Sequence, residues 1–172
     1  ATHLFNAMPP FTHRAPGVVG AAFDHPEVSA ELISDGVHIH PAVVRAVFHL
    51  FGKDRVILIS DSLRATGMPD GRYPFGGQEI EVRGNRATMA DDPNTLAGSV
   101  SDLMACMRSA VSFGIPLADA VTAAAVNPAK ALGIYDRVGS LDVGKDANVA
   151  VLDQNLELKA VLFRGELVSG SL

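Results

Sequence analysis

Two apolar runs that end in polar residues indicate buried strands in the first third of the chain. Residues 55–60 form one such run and deliver Asp61 at its end, and residues 30–34 form a shorter β-type run. Between them Pro41 opens a helix whose apolar residues recur at the 3.6-residue spacing, and Gly52 closes it. Alternation of strand and helix predicts parallel pairing, and therefore an α/β fold.

Residues 1–52 are predicted to run strand, loop, strand, helix. Residues 1–5 are interpreted as the end of a strand already under way, and the chain starts without an initiator methionine. Three strands are too few to close a (β/α)8 barrel, which needs eight strands and roughly 250 residues. We therefore expect a fragment in which the other strands precede residue 1.

The pattern changes after Gly67. Glycine pairs and an alternating run at 78–83 predict a β-hairpin inserted near residues 70–90. A long helix is predicted to begin at Gly98 and Ser99. Two shorter helices are predicted at 116–126 and 128–132, and short strands at 147–152, 158–164 and 166–168.

These elements predict two domains. Residues 1–135 are expected to be the C-terminal part of a barrel, and residues 136–172 to supply strands of a second sheet that pairs with N-terminal chain.

Composition narrows the classes of partner. A net charge of −5 without a basic stripe disfavours a nucleic-acid partner, and no apolar run is long enough to span a membrane. The single cysteine, Cys106, excludes an internal disulfide and fits the reducing cytoplasm.

Asp61 is the strongest candidate for chemistry. A carboxylate at a strand end is placed where α/β enzymes carry out catalysis, and it can take a proton from a water and later protonate an amine. The alternative is a cap of the following turn, which contains Ser62 and Thr66. The residues alone leave these two interpretations about equally open.

Several histidines and one arginine are weaker candidates. His3 is either a metal ligand or a satisfied core histidine, and the second is commoner. His38 and His40 lie two residues apart, and they are interpreted either as a pair of metal ligands or as a site where one of them contacts an anionic substrate. Arg14 follows His13 in a loop bounded by proline and glycine, where it either clamps a phosphate or carboxylate or is an ordinary surface arginine.

The remaining features are interpreted more simply. Residues 95–99 either present backbone amides at a helix N-terminus to a ligand or only cap that helix. The glycines match no phosphate-loop or dinucleotide pattern. His13, His25 and His49 are interpreted as exposed, and Cys106 as an inert core thiol.

Four motifs together resemble the N-acetylglucosamine-6-phosphate deacetylases of the amidohydrolase superfamily. They are ATHLFNAM at 1–8, ISDGVH at 33–38, ISD at 59–61 and TLAGS at 95–99, and they occur in order along the whole chain. The segment RVGSLDVGKDAN at 137–148 resembles the superfamily more broadly. The resemblance implies a TIM-like metal-dependent hydrolase barrel beside a small β-sandwich, in a cytoplasmic homodimer.

The resemblance also implies roles for individual residues. Asp61 matches the catalytic aspartate, and His3 a ligand of a divalent metal, Zn or Fe. Arg14 matches a phosphate-binding arginine that reaches in from the neighbouring subunit. The positions that match substrate contacts are Asn6, Ala7, His38, Leu96, Ala97 and Gly98.

The implied reaction is hydrolysis of N-acetylglucosamine 6-phosphate to glucosamine 6-phosphate and acetate. Two alternatives stay open: an amidohydrolase that acts on a related amino-sugar phosphate, and an inactive fragment that serves only as an assembly partner. The resemblance further implies a glutamate and two histidines on earlier strands, which this chain does not contain. The missing N-terminal half of the enzyme is therefore an expected partner.

A first prediction concerns the chain by itself. Three protein ligands are typical of a catalytic zinc site, and at least two of the implied ligands are absent from these 172 residues. We expect the isolated chain to bind divalent metal weakly and to show no deacetylase turnover. Metal analysis and an acetate-release assay of the purified chain measure both. Turnover at an ordinary enzymatic rate would contradict this expectation.

Overall fold

A parallel pair of strands organises the N-terminal part of the fold, in a computed structural model that describes residues 1–171. β1 (Ala30–Ile33) and β2 (Val56–Ile59) pair in register, with Ala30 opposite Val56 and Ile33 opposite Ile59. Most of their side chains are buried. α2 (Pro41–Phe51) connects them, so the predicted strand–helix–strand unit is confirmed.

α2 begins and ends where the sequence predicts. Pro41 occupies its first turn, and Gly52 follows it with φ 72° and donates its N–H to the Phe48 carbonyl. The side chain of His40 accepts a hydrogen bond from the Ala42 amide at 3.2 Å. His40 is therefore an exposed helix cap, which disfavours the alternative in which it pairs with His38 around a metal.

The first residues differ from prediction. Residues 2–7 form turns where a strand was expected, with left-handed φ angles at His3, Phe5 and Ala7. Backbone bonds nevertheless fasten the segment to β1, from the Leu4 amide to the Glu31 carbonyl and from the Glu31 amide to the Ala1 carbonyl. Residues 1–4 therefore lie beside β1 without forming a regular strand.

α1 (Gly17–Asp24) lies in a region that was predicted to be a loop. It buries Val19 and Ala22, and no side chain caps its N-terminus. The residue before it is Pro16, and a Ser, Thr, Asp or Asn cap is absent there, so the sequence signal for the start of this short helix is weak.

The insertion near residues 70–90 is a three-stranded antiparallel sheet. β3 (Gly71–Phe75), β4 (Gln78–Arg83) and β5 (Arg86–Met89) follow one another in order. The predicted strand at 78–83 is confirmed, with turns at 76–77 before it and at 84–85 after it, whereas the hairpin prediction missed β3. That strand contains Pro74, which an edge strand tolerates because one side needs no ladder hydrogen bonds.

Helices follow the insertion. α3 (Leu103–Ser112) begins later than predicted, because the Asp102 carboxylate accepts a hydrogen bond from the Ala105 amide and caps it. α4 (Leu117–Val121), a π-helical turn at Thr122–Val126 and α5 (Asn127–Ala131) then run on without a break.

Cys106 on α3 is fully buried. Burial raises the pKa of its thiol to about 12. The prediction of an inert core thiol is therefore confirmed.

The chain divides into two compact units, Ala1–Ala124 and a second that starts at Ala125. In the second unit β6 (Val149–Leu152), β7 (Leu158–Phe163) and β8 (Glu166–Gly170) form an antiparallel sheet, which confirms the three predicted strands. The predicted domain boundary after residue 135 stays a prediction. Among residues 1–171, none of the helices has the length and apolar character to cross a bilayer.

Candidate functional site

The carboxyl ends of β1 and β2 form one edge, because the two strands are parallel. β1 is followed by Ser34 and Asp35, and β2 by Ser60 and Asp61. We call these four residues the carboxyl edge. Both strands are buried along their length, so the edge is where polar side chains leave the core.

Further backbone pairing extends the edge on both sides. The Ala30 amide donates to the Arg55 carbonyl just before β2, whereas Glu31 exchanges hydrogen bonds with residues 1–4. Alternate residues of a parallel strand bond to opposite sides, so residues 1–4 flank β1 away from β2. Beyond β2, Ser62 bridges Ser99 in parallel. Four chain segments that carry candidate residues are therefore neighbours.

Asp61 adopts a left-handed backbone, with φ 50°. Its carbonyl accepts a hydrogen bond from the Ser99 amide at 2.9 Å, and its side chain is exposed without a recorded hydrogen bond to another described residue. The neighbouring Ser62 hydroxyl instead donates to the Ser101 carbonyl at 2.7 Å and ties the segment after Asp61 to the segment of Ser99–Ser101. The geometry leaves the Asp61 carboxylate unengaged, which disfavours its interpretation as a turn cap.

Gly98 allows the neighbouring segment to approach Asp61 closely. Its φ is +62°, and an added Cβ would lie 2.9 Å from Cδ2 of Leu63 and 3.1 Å from the Asp61 carbonyl oxygen. A glycine is required here both for backbone conformation and for space.

Residues 95–99 do not form the start of a helix, so that prediction is wrong. Leu96 bridges Thr88 of β5, and the Ala97 amide donates to the Ala87 carbonyl at 3.1 Å. Ala97 is buried, and Leu96 and Gly98 are partly exposed. The segment thus ties the inserted sheet to the turn at Asp61.

His3 has an unusual environment for a core histidine. Its Nδ1 atom is buried and lacks a hydrogen-bond partner, although buried polar atoms are nearly always satisfied. An imidazole nitrogen in this condition suits a metal such as Zn or Fe. Within residues 1–171 no cluster of three or more His, Cys, Asp or Glu side chains is placed to hold a metal ion.

Asn6 and Ala7 follow His3 in the same turn. The Asn6 side-chain amide donates to the carbonyls of His3 and Leu4 at 3.3 and 3.4 Å. Ala7 is exposed, with φ 52°. These bonds tie the side chain of Asn6 to the backbone that carries His3.

His38 lies against Asp35, a residue that the sequence analysis did not propose for the site. Their side chains, 5% and 2% exposed, join through a 2.8 Å bond between His38 Nδ1 and Asp35 Oδ2. The three-residue spacing of aspartate and histidine was the available signal. Arrangements of this kind fix the orientation of an imidazole.

Arg14 is exposed on a loop, away from any recorded hydrogen bond, ion pair or ring contact with the described residues. A turn from Thr12 to Ala15 shapes the loop, with the Thr12 amide donating to the Ala15 carbonyl at 3.1 Å. His13, His25 and His49 are exposed, as predicted.

The structure thus groups the candidates without joining them all. Asp61 lies beside the segment of Leu96–Gly98, Asn6 beside His3, and His38 beside Asp35, whereas Arg14 stands apart. No recorded hydrogen bond among residues 1–171 links one group to another.

Comparison with known proteins identifies the relatives of this chain. A model of the amidohydrolase family matches residues 1–168. An N-acetylglucosamine-6-phosphate deacetylase of Bacillus subtilis is 43% identical over 167 residues, covering 96% of this chain and 42% of the relative. The chain therefore spans less than half of that protein. A putative N-acetylgalactosamine-6-phosphate deacetylase of Escherichia coli K12 is 38% identical, and the match covers 97% of this chain and 99% of the relative.

Solved structures of similar proteins also match this chain. A mutant of the N-acetyl-D-glucosamine-6-phosphate deacetylase from Mycobacterium smegmatis, in complex with N-acetyl-D-glucosamine-6-phosphate, matches with a TM-score of 0.91 and 41% identity. The match covers 97% of this chain and 44% of that one. The deacetylase from Pasteurella multocida matches with a TM-score of 0.92 and 31% identity, over 99% and 44% of the two chains.

A second prediction follows from the close approach at Gly98. Gly98→Ala adds a methyl group against Leu63 and Asp61 at a left-handed position, whereas Gly84→Ala adds one at a similar φ of +58° with no atom within 4 Å. Overpacking costs roughly 1–3 kcal/mol. We expect Gly98→Ala to lower the free energy of unfolding by about 1 kcal/mol or more beyond Gly84→Ala, measured in urea. Equal losses would show that the contact at Gly98 relaxes freely.

Proposed function

The chain belongs to the amidohydrolase family, and from this membership we propose that it contributes part of the active site of an N-acetylglucosamine-6-phosphate deacetylase. The reaction would convert N-acetyl-D-glucosamine 6-phosphate and water to D-glucosamine 6-phosphate and acetate. The observation that carries the proposal is the match, at TM-score 0.91 and 41% identity, to a structure in complex with that sugar phosphate.

The proposed architecture is the C-terminal part of a (β/α)8 barrel with strands of a small β-sandwich. The parallel pair β1–β2, flanked by residues 1–4 and by Ser99, supports the barrel, because barrel strands are neighbours in sequence order. The antiparallel sheet β6–β8 supports the sandwich. The single buried Cys106 is compatible with a cytoplasmic protein.

Members of this family are typically metal-dependent. The buried, unpartnered Nδ1 of His3 fits one ligand of a divalent ion, either Zn or Fe, and the other ligands would come from outside this chain. When bound, such an ion would polarise the attacking water and the amide carbonyl.

Asp61 is proposed as the general base and acid. It would take a proton from the attacking water and then give a proton to the nitrogen of the departing amine. Its exposed, unengaged carboxylate at a strand end supports this role, and its left-handed backbone is of the kind that recurs at active sites.

The sugar phosphate is proposed to contact two groups of residues. Arg14 and His38 would hold the 6-phosphate, with Arg14 reaching the site from the other subunit of a homodimer. Its exposed position, without contacts to the rest of the described chain, supports an outward role. Asn6, Ala7 and the loop of Leu96, Ala97 and Gly98 would line the sugar pocket.

A second candidate substrate is N-acetylgalactosamine 6-phosphate, because a relative of that description matches this chain over 99% of its own length. The two sugars differ only in configuration at C4. Acetate release from both phosphates and from unphosphorylated N-acetylglucosamine, catalysed by the complete protein that carries this chain, tests the proposal. A preference for the galactose epimer would favour the second candidate, and no turnover of any would overturn both.

A third prediction concerns Asp61. Asp61→Asn keeps the shape of the side chain but removes the base, and general acid–base catalysis contributes typically about 10²–10⁴-fold. We expect kcat of the complete protein to fall by at least about 10²-fold while KM changes little. Asp24→Asn, at another exposed aspartate, is the control. Near-normal kcat in Asp61→Asn would mean that this residue is structural.

A fourth prediction concerns Arg14. Arg14→Ala should reduce kcat/KM for the phosphorylated sugar more than for N-acetylglucosamine, because only the former makes the charge-assisted contact. A lost bond of this kind is worth about 1.5–3 kcal/mol. Arg86→Ala, at an exposed arginine of β5, should leave the ratio of the two values unchanged.

The same ratio tests the subunit arrangement. If Arg14 acts across an interface, dilution of the complete protein to monomer should also lower the ratio. An equal fall for both substrates in Arg14→Ala would assign Arg14 to the fold or the interface. An unchanged ratio in a proven monomer would remove the cross-subunit contact.

A further inference from the structure

Asp35 receives three hydrogen bonds in a buried position. Oδ1 accepts from the backbone N–H groups of Val37 and His38, both at 2.9 Å, and Oδ2 lies 2.8 Å from Nδ1 of His38. The side chain of Asp35 is 2% exposed and that of His38 is 5% exposed. One carboxylate thus closes its own turn and also holds the imidazole three residues later.

The hydrogen bonds determine the charge of Asp35. Burial raises the pKa of this carboxyl. The hydrogen bonds from the His38 ring and from the His38 and Val37 amides together lower the pKa by more than burial raises it, so the net shift is downward. Asp35 is therefore ionised at neutral pH, and an ionised carboxylate only accepts hydrogen bonds.

The tautomer of His38 follows from this acceptor. Because Asp35 cannot donate, Nδ1 of His38 must carry the hydrogen, which is a protonation state assigned from the hydrogen-bond network. The other ring nitrogen, Nε2, has no partner within the described part of the chain. It is the atom left for a ligand.

We propose that Asp35 is a positioning residue that holds His38 in the Nδ1–H form with its ring fixed, so that Nε2 is the atom that contacts the phosphate of the substrate. The inference rests on the proposed function, in which His38 binds the sugar phosphate. A phosphate oxygen only accepts hydrogen bonds, so this contact needs a hydrogen on Nε2 as well, and the Asp35 carboxylate beside Nδ1 would balance the positive charge of a ring that carries both.

Asp35→Asn makes a sharp test because the shape of the side chain is kept while one acceptor oxygen becomes an NH2 donor. The asparagine oxygen still accepts from the two backbone amides, but its NH2 group now donates to Nδ1. The neutral ring must then carry its hydrogen on Nε2, and a charged ring would meet a donor instead of a carboxylate.

Asp153→Asn is the matched control. Asp153 Oδ1 also accepts from two backbone amides, those of Asn155 and Glu157 at 2.9 Å, and Oδ2 pairs with Lys159 Nζ at 3.0 Å. The same substitution there keeps a comparable turn and removes a charged side-chain pair without touching a histidine.

The first readout is the ¹⁵N NMR spectrum of the histidine rings in the substrate-free chain, with the His38 signals identified by their loss in His38→Gln. We expect neutral His38 to have hydrogen on Nδ1 in the wild type and in Asp153→Asn, and on Nε2 in Asp35→Asn. Hydrogen on Nε2 in the wild type would overturn the proposal. The wild-type spectrum decides this even if Asp35→Asn does not fold.

The second readout is the kinetics of the complete protein. We expect Asp35→Asn to raise KM for N-acetylglucosamine 6-phosphate about tenfold or more, with a much smaller change in kcat and in KM for the unphosphorylated sugar. An unchanged or lower KM, with the tautomer as expected, would overturn the contact between Nε2 and phosphate. Absence of turnover in the wild type would refute the proposed function alone, because the NMR result stands without substrate.

Discussion

Backbone hydrogen bonding around the parallel pair β1–β2 sets the position of the candidate site. The shared register brings Asp35 and Asp61 to the same edge, residues 1–4 add His3 on one side, and Ser99 adds the loop of Gly98 on the other. These bonds involve main-chain atoms, so they depend on the strands being buried and in register more than on any single side chain.

The sequence predicted the parts of the fold that repeat a simple pattern. The apolar periodicity of α2, with Pro41 before it and Gly52 after it, is sufficient to define that helix, and the apolar runs define β1 and β2. Prediction failed where local signals were absent or pointed the wrong way. α1 has no cap, β3 contains Gly71 and Pro74, and residues 2–7 turn because three of their residues adopt left-handed backbone angles.

The candidate site shows the same division. Asp61, His3 and His38 are candidates from their positions and from the resemblance, but Asp35 is not, since a turn-forming aspartate and one that orients a histidine look alike in sequence. Nor did the sequence show that residues 95–99 pair with Ala87 and with Asp61 instead of starting a helix. The pairings of residues 95–99 depend on contacts between segments far apart along the chain, which local patterns do not encode.

The burial of Cys106 has a practical consequence for chemical labelling. A thiol reacts as its thiolate, and a buried group whose pKa lies at about 12 forms almost none near neutral pH. The folded chain therefore offers an almost silent background to maleimide reagents. A single cysteine introduced at an exposed position, for example on the loop that carries Arg14, can then receive a fluorophore or a spin label without removal of the native residue.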